Sequence, residues 1–234
     1  MAITYVINSV TLGNGSGDPI TSGSLTLAVD DIITAACVTE DNAGSGTLSI
    51  ANSGSALSWN QIVITNTNSN AKVATWWAKS PDTTSRTVTV TPSAPNQIAK
   101  KLDCIVHTGA HTTNPVPVGN VFSGTGATDV SQSITPTASG SALWMFAGDW
   151  NATNTFAAIA DCTLFGPHHS GGHYTGTAVR PSTQPRTDAA AFTIGETDTA
   201  GKIAWVAFEV QAAASAAASR INSNAARMAA MIVH

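Results

Sequence analysis

Two stretches of ten residues stand 100 positions apart and share five identities in register. Ala78-Lys79-Ser80-Pro81-Asp82-Thr83-Thr84-Ser85-Arg86-Thr87 lines up with Ala178-Val179-Arg180-Pro181-Ser182-Thr183-Gln184-Pro185-Arg186-Thr187. Downstream, Lys101-Leu102-Asp103-Cys104-Ile105-Val106-His107 answers to Lys202-Ile203-Ala204-Trp205-Val206-Ala207-Phe208. Upstream, Asp31 to Cys37 answers to Ala142 to Gly148. The chain reads as a diverged tandem duplication of one unit of roughly 90–100 residues. Any acceptable fold must contain that unit twice.

The unit is β in character. Thr4-Tyr5-Val6-Ile7, Ser24-Leu25-Thr26-Leu27 and Ile62-Val63-Ile64-Thr65 are short β-branched or apolar runs of strand length. Thr87-Val88-Thr89-Val90-Thr91 alternates valine with threonine, the mark of a half-buried antiparallel strand. Clusters such as Gly13-Asn14-Gly15-Ser16-Gly17 and Asp41-Asn42-Ala43-Gly44-Ser45-Gly46 punctuate these runs as turns. The expected architecture is an all-β antiparallel sandwich or jelly roll built from two repeats, with a C-terminal Ala-rich α-helix. The expected divisions are an N-terminal arm at 1–22, a first repeat at 23–112, a linker region at 113–137, a second repeat at 138–210 and the helix at 211–234. Asn114-Pro115-Val116-Pro117 carries the linker, because its prolines forbid a central strand.

From Gln211 alanine dominates and Gly and Pro disappear. Ala214, Ala217, Ile221, Asn224, Met228 and Met231 follow a 3-4-3-4-3 spacing, a narrow seam of the coiled-coil kind. A helix clothed mostly in methyl groups needs a groove or a copy of itself to be stable. Ile221, Asn224, Met228 and Met231 are therefore the candidate assembly contacts; the alternative is a frayed Ala/Ser tail.

Composition narrows the function. Only 10% of residues are charged, against ~25% in ordinary soluble domains, and the net charge is −4. No basic patch invites nucleic acid, and no apolar run approaches a membrane span. A surface so poor in charge lacks the repulsion that keeps proteins apart, so a homo-oligomer or larger assembly is expected. Met1 to Ile20 has no basic residue and no apolar core, which argues against a cleaved signal peptide. On that reading the sequons at Asn14 and Asn151 carry no glycan. Cys37, Cys104 and Cys162 lie in apolar runs and read as buried free thiols.

Catalytic patterns are missing. No Gly-x-Ser-x-Gly elbow joins a strand to a helix, and the Gly13–Gly17 cluster lacks the Lys-Ser/Thr of a phosphate loop. Nothing singles out a carboxylate pair among Glu40, Asp41, Asp149 and Glu196. His168, His169 and His173 crowd one glycine-rich loop that has no carboxylate or thiolate within it. Without a complete ligand set, no metal and no cofactor is expected there. The expectation is a non-enzyme. Aromatic residues remain: Trp76 and Trp77 are adjacent, so in a strand they face opposite ways and one is a candidate exposed platform. Trp150 invites the same reading, whereas Trp59, Trp144 and Trp205 lie in apolar strands and belong to the core.

The order of phrases resembles β-sandwich structural proteins of tailed bacteriophages. The matching residues are Ser24–Leu27, Asp31–Cys37, Trp59, Trp76-Trp77-Ala78, Thr87–Thr91 and Thr108-Gly109-Ala110, spread over about residues 20–210. The resemblance implies a virion protein made in the host cytoplasm, a capsid decoration or cement protein or a tail-associated component. Its partners would be other virion proteins (major capsid or tail protein) and its own copies. The competing expectation is a carbohydrate-binding adhesin module that meets host glycans through exposed tryptophans.

Overall fold

The computed structural model describes residues 1–12, 18–40, 46–66, 71–93, 100–126, 128–149, 156–170, 173–197 and 203–214. Within them the protein is nearly all β, with antiparallel sheets packed as two sandwich-like units. The first unit contains β1 (Thr4–Leu12), β2 (Ile20–Thr21), β3 (Ile32–Glu40), β4 (Leu48–Asn52), β5 (Asn60–Asn66), β6 (Ala71–Lys79), β7 (Val88–Pro92) and β8 (Lys100–Thr108). The second contains β9 (Val121–Gly126), β10 (Val130–Ile134), β11 (Ala142–Gly148), β12 (Ala157–Ala158), β13 (Cys162–Ser170), β14 (His173–Pro181), β15 (Phe192–Thr197) and β16 (Ile203–Val210). Among the described residues no helix is long and apolar enough to cross a membrane.

In the first unit a five-stranded sheet of order β1-β8-β3-β6-β5 faces a three-stranded sheet β2-β7-β4. In the second, β9-β16-β11-β14-β13 faces β10-β15-β12. Each strand of the first unit thus has its counterpart eight strands later, in the same place in the same sheet. Pro81 follows β6 and Pro181 ends β14, so both close the same strand of the unit.

The strand pairings correct the alignment by one residue. Ile33 pairs with Ala78 on one side and Val106 on the other; Met145 pairs with Val179 and Ala207. Ala78 therefore answers to Val179 rather than Ala178, and Ile33 to Met145 rather than Trp144. The faces agree: Ile33, Ala78 and Val106 fill the interior of the first sandwich, while Met145, Val179 and Ala207 fill that of the second. A slip of one residue turns every side chain of a strand to the opposite face, so pairing decides the equivalence.

The two five-stranded sheets also bury their other faces against each other. Ile32, Ala36, Val38, Val73 and Ile105 meet Trp144, Phe146, Ala178, Val206 and Phe208 in one core cluster. The molecule is a four-layer block with thin sheets outside and broad sheets within. This double burial explains why β3 reads as a continuous run and is buried along its whole length. The outer strand β7 instead alternates, with Val88 and Val90 inside and Thr91 exposed.

Three segments differ from the expected divisions. The N-terminal segment carries β1, which pairs with β8 from Thr4↔Thr108 to Leu12↔Lys100, so it is an edge strand and not an arm. The stretch 113–137 contains a 3-10 turn at Val118–Asn120 and two strands, β9 and β10, which occupy the counterparts of β1 and β2. The prolines 115 and 117 precede these strands and confine the connection to a few residues. Finally, Gln211–Ala214 is extended: Ala212 bridges to Ala110, and Ala213 N–H donates to the Gly109 carbonyl at 2.9 Å. These alanines satisfy their backbone groups against the end of β8, so any helix begins beyond them. Residues 215–234, with Ile221, Asn224, Met228 and Met231, lie outside the described residues.

Candidate binding cleft

Trp76 and Trp77 point to opposite faces of β6, but both faces are covered. Trp76 is buried in the interior of the first sandwich. Trp77 turns the other way and packs, half-buried, at the rim of the core between the two broad sheets. The expected free platform is therefore a cleft. A cavity of about 410 Å³ opens beside Trp77 and is lined also by Leu57, Ser58, Asn60, Lys79 and Thr112. A smaller cavity of about 150 Å³ reaches the same indole from the side of Gln61, Val116 and Val118. β5 is the edge of its sheet, which leaves this flank open. The counterpart of Trp77 in the second unit is the fully buried Ala178, so the cleft is not duplicated. Trp150 lies outside the described residues. Trp144 is completely buried, and Trp59 and Trp205 are partly buried against the two sandwich interiors.

The polar lining of the cleft is modest. Asn60 Nδ2 donates to the Ser58 carbonyl at 3.2 Å. Lys79 Nζ stands 3.1 Å from Asp30 Oδ1 in an exposed ion pair. Among the described residues no carboxylate lines the larger cavity.

The histidines are placed differently from the expected loop. His168 and His169 belong to β13 and His173 opens β14; His169 pairs with Tyr174, and Ser170 with His173, in a hairpin. Among the described residues no group of three His, Cys, Asp or Glu gathers as metal ligands do. Glu40 and Glu196 are buried in different sheets, Asp149 is buried just after β11, and Asp41 lies outside the described residues. The three cysteines are free thiols. Burial pushes the Cys37 thiol up to about 12, with Lys100 opposing, and pushes Cys104 up as well. Cys162 is half-buried and shifted upward by the same cause. None is a poised nucleophile.

Sequence reasoning missed a polar cluster in the apolar core. Lys101 and Asp103 are fully buried on the face of β8 that looks toward the second unit. The Lys101 ammonium pairs with the Asp103 carboxylate, which also accepts a hydrogen bond from Ser9 on β1. Lys101 Nζ lies 5.5 Å from the Phe165 ring centroid across the interface. Gly166 keeps this arrangement open: a Cβ there would stand 3.3 Å from Lys101 Cε and from Ser9 Oγ. Further along β8, His107 Nε2 meets Thr34 Oγ1 at 3.0 Å while its ring abuts Trp144. Burial lowers the His107 pKa to about 3. The only sequence signal was charge inside an otherwise apolar strand, Lys101-Leu102-Asp103. In one sheet facing solvent it would be an ordinary exposed pair.

Known family models, curated proteins and solved structures contain no match to this chain.

Proposed function

We propose that the protein is a non-enzymatic virion structural protein, a capsid decoration or cement protein that binds the particle shell and neighbouring copies of itself. The observation that carries this reading is the pair of outer sheets. On one side of the block Thr21, Ser49, Ala51 and Thr91 point outward; on the other, Ser131, Ser133 and Thr193 do. The outward side chains described in these strands are uncharged, and the two sheets lie on opposite sides of the molecule. Contact through such faces desolvates hydroxyls and methyls, which costs far less than stripping water from ions. A small block with two such β faces is suited to sit between a surface and a neighbour.

Electron microscopy of the native assembly tests this. Symmetric copies on a particle lattice are expected, and a protein that is monomeric and absent from particles would overturn the proposal. Charges placed outward, as in Thr91→Glu and Ser131→Glu, should lower particle occupancy while leaving the melting temperature nearly unchanged.

A further inference from the structure

The cleft at Trp77 lies apart from the outer faces. We propose that it is a binding site for a neutral saccharide, one ring of which lies on the Trp77 indole. The proposal does not depend on the assembly role.

A sugar ring carries an apolar C–H face and a rim of hydroxyls that donate and accept hydrogen bonds. The cleft offers the complement of both. The indole provides a flat apolar surface, held by the strand pairs Trp77↔Thr34 and Trp77↔Asn60 on either side. Around it stand an amide and two hydroxyls. One Asn60 N–H is used on the Ser58 carbonyl, which leaves its Oδ1 and a second N–H for a ligand. Ser58 and Thr112 supply the hydroxyls at the rim. The volume, about 410 Å³, falls in the range of small-ligand sites, which combine an apolar floor with a few placed polar groups.

Charge selects the class of ligand. Among the described residues Lys79 is the one ionised side chain in the lining, and Asp30 already faces it at 3.1 Å. Both side chains are about half exposed, so the pair stays hydrated and adds little net field. Phosphorylated, sulfated or acidic ligands therefore find no unmatched cation. A purely apolar occupant, such as a side chain from a second copy, would cover the remaining Asn60 N–H and Oδ1 and both hydroxyls without pairing them.

The test titrates the full chain with maltotriose, cellotriose and chitotriose, and with trigalacturonate as the acidic comparison. Binding is read by calorimetry and by the indole N–H signals in NMR, with Trp77→Phe assigning the signal of interest. At least one neutral trisaccharide should shift the Trp77 signal and saturate in the millimolar range or below. Asn60→Ala and Thr112→Val should each weaken it by roughly three- to tenfold, as expected for one lost hydrogen bond, without changing the melting temperature. Both substitutions lie at the rim, so they keep the test valid if Trp77→Phe does not fold. The proposal fails if no neutral trisaccharide moves the Trp77 signal at about 20 mM, a concentration well above a millimolar dissociation constant. It also fails if trigalacturonate binds more tightly, if the rim variants bind unchanged, or if the Trp77 signal responds only to protein concentration.

Discussion

His107 faces the second unit, where Trp144 lies against it, and its counterpart in that unit is Phe208. One repeat thus places an imidazole where the other places a phenyl ring. With a folded pKa near 3 against an ordinary 6.5, the histidine is neutral in the native state while the unfolded chain takes up a proton below about pH 6.5. The unfolded state then binds more protons, so stability falls as pH drops from about 6.5 towards 3 and is fully present above that window. At pH 4 the loss is on the order of 3 kcal/mol. His107→Phe should remove this portion and flatten the urea midpoint between pH 6.5 and 4, leaving the carboxylate-driven fall at lower pH. An unchanged profile would mean that the imidazole is protonated in the fold. The thiols make a second prediction at this scale. Iodoacetamide should modify Cys162 slowly in the native protein and reach Cys37 and Cys104 only in denaturant, as peptide mapping by mass spectrometry would show.

Among elements, the duplication is legible in the sequence because turn residues keep their identity. Pro81 and Pro181, Arg86 and Arg186 mark the same corner of the unit. Strand registers are less legible, since Ala78 and Ala178 are identical yet face different cores. Thr4–Ile7 within β1 is legible as a β run but not as the edge partner of β8, and β9 is not legible at all. A sequence such as Val-Phe-Ser-Gly-Thr-Gly has little hydrophobic alternation, and its pairing with β16 comes from position. The cleft was half legible: adjacency of Trp76 and Trp77 predicts opposite faces, but the residues that line the larger cavity beside Trp77, from Leu57 to Asn60 and at Lys79 and Thr112, come together only in the fold. The corners also differ in detail. Arg86 is buried and forks onto both Asp82 oxygens at 2.8 and 2.9 Å, and it donates to the Thr84 carbonyl at 2.9 Å. That fork holds the Asp82 carboxyl well below the usual carboxylate range. Arg186 touches one oxygen of Asp188 at 3.0 Å and lies over Phe192. Lysine cannot reproduce a fork, so Arg86→Lys should lower the melting temperature more than Arg186→Lys. Equal drops would show that the corners are energetically alike despite their different contacts.

At the scale of the whole molecule, the N-terminus meets the last of the described residues. The Met1 amino group donates to the Ala213 carbonyl at 3.0 Å, and the Ala213 N–H is bonded to Gly109. Residues 211–214 are thus part of the β framework, and a truncation that tests the tail has to begin after them. Removing 215–234 should leave the four-layer block folded, because the strand pairings of all four sheets are made among residues 1–210. If the tail forms the helix that its 3-4-3-4-3 seam predicts, its methyl surface gains stability only against another surface, and Asn224 within the seam would set the register. Truncation should then weaken particle binding or self-association without lowering the melting temperature. Met228→Ala and Met231→Ala should weaken it in part, each by roughly 2–5 kcal/mol where the side chain is fully buried. Sedimentation of the truncated chain beside the full one, together with its occupancy on particles, measures this. Unchanged assembly would move the contacts onto the outer sheets, where Thr91→Glu and Ser131→Glu would then carry the whole effect.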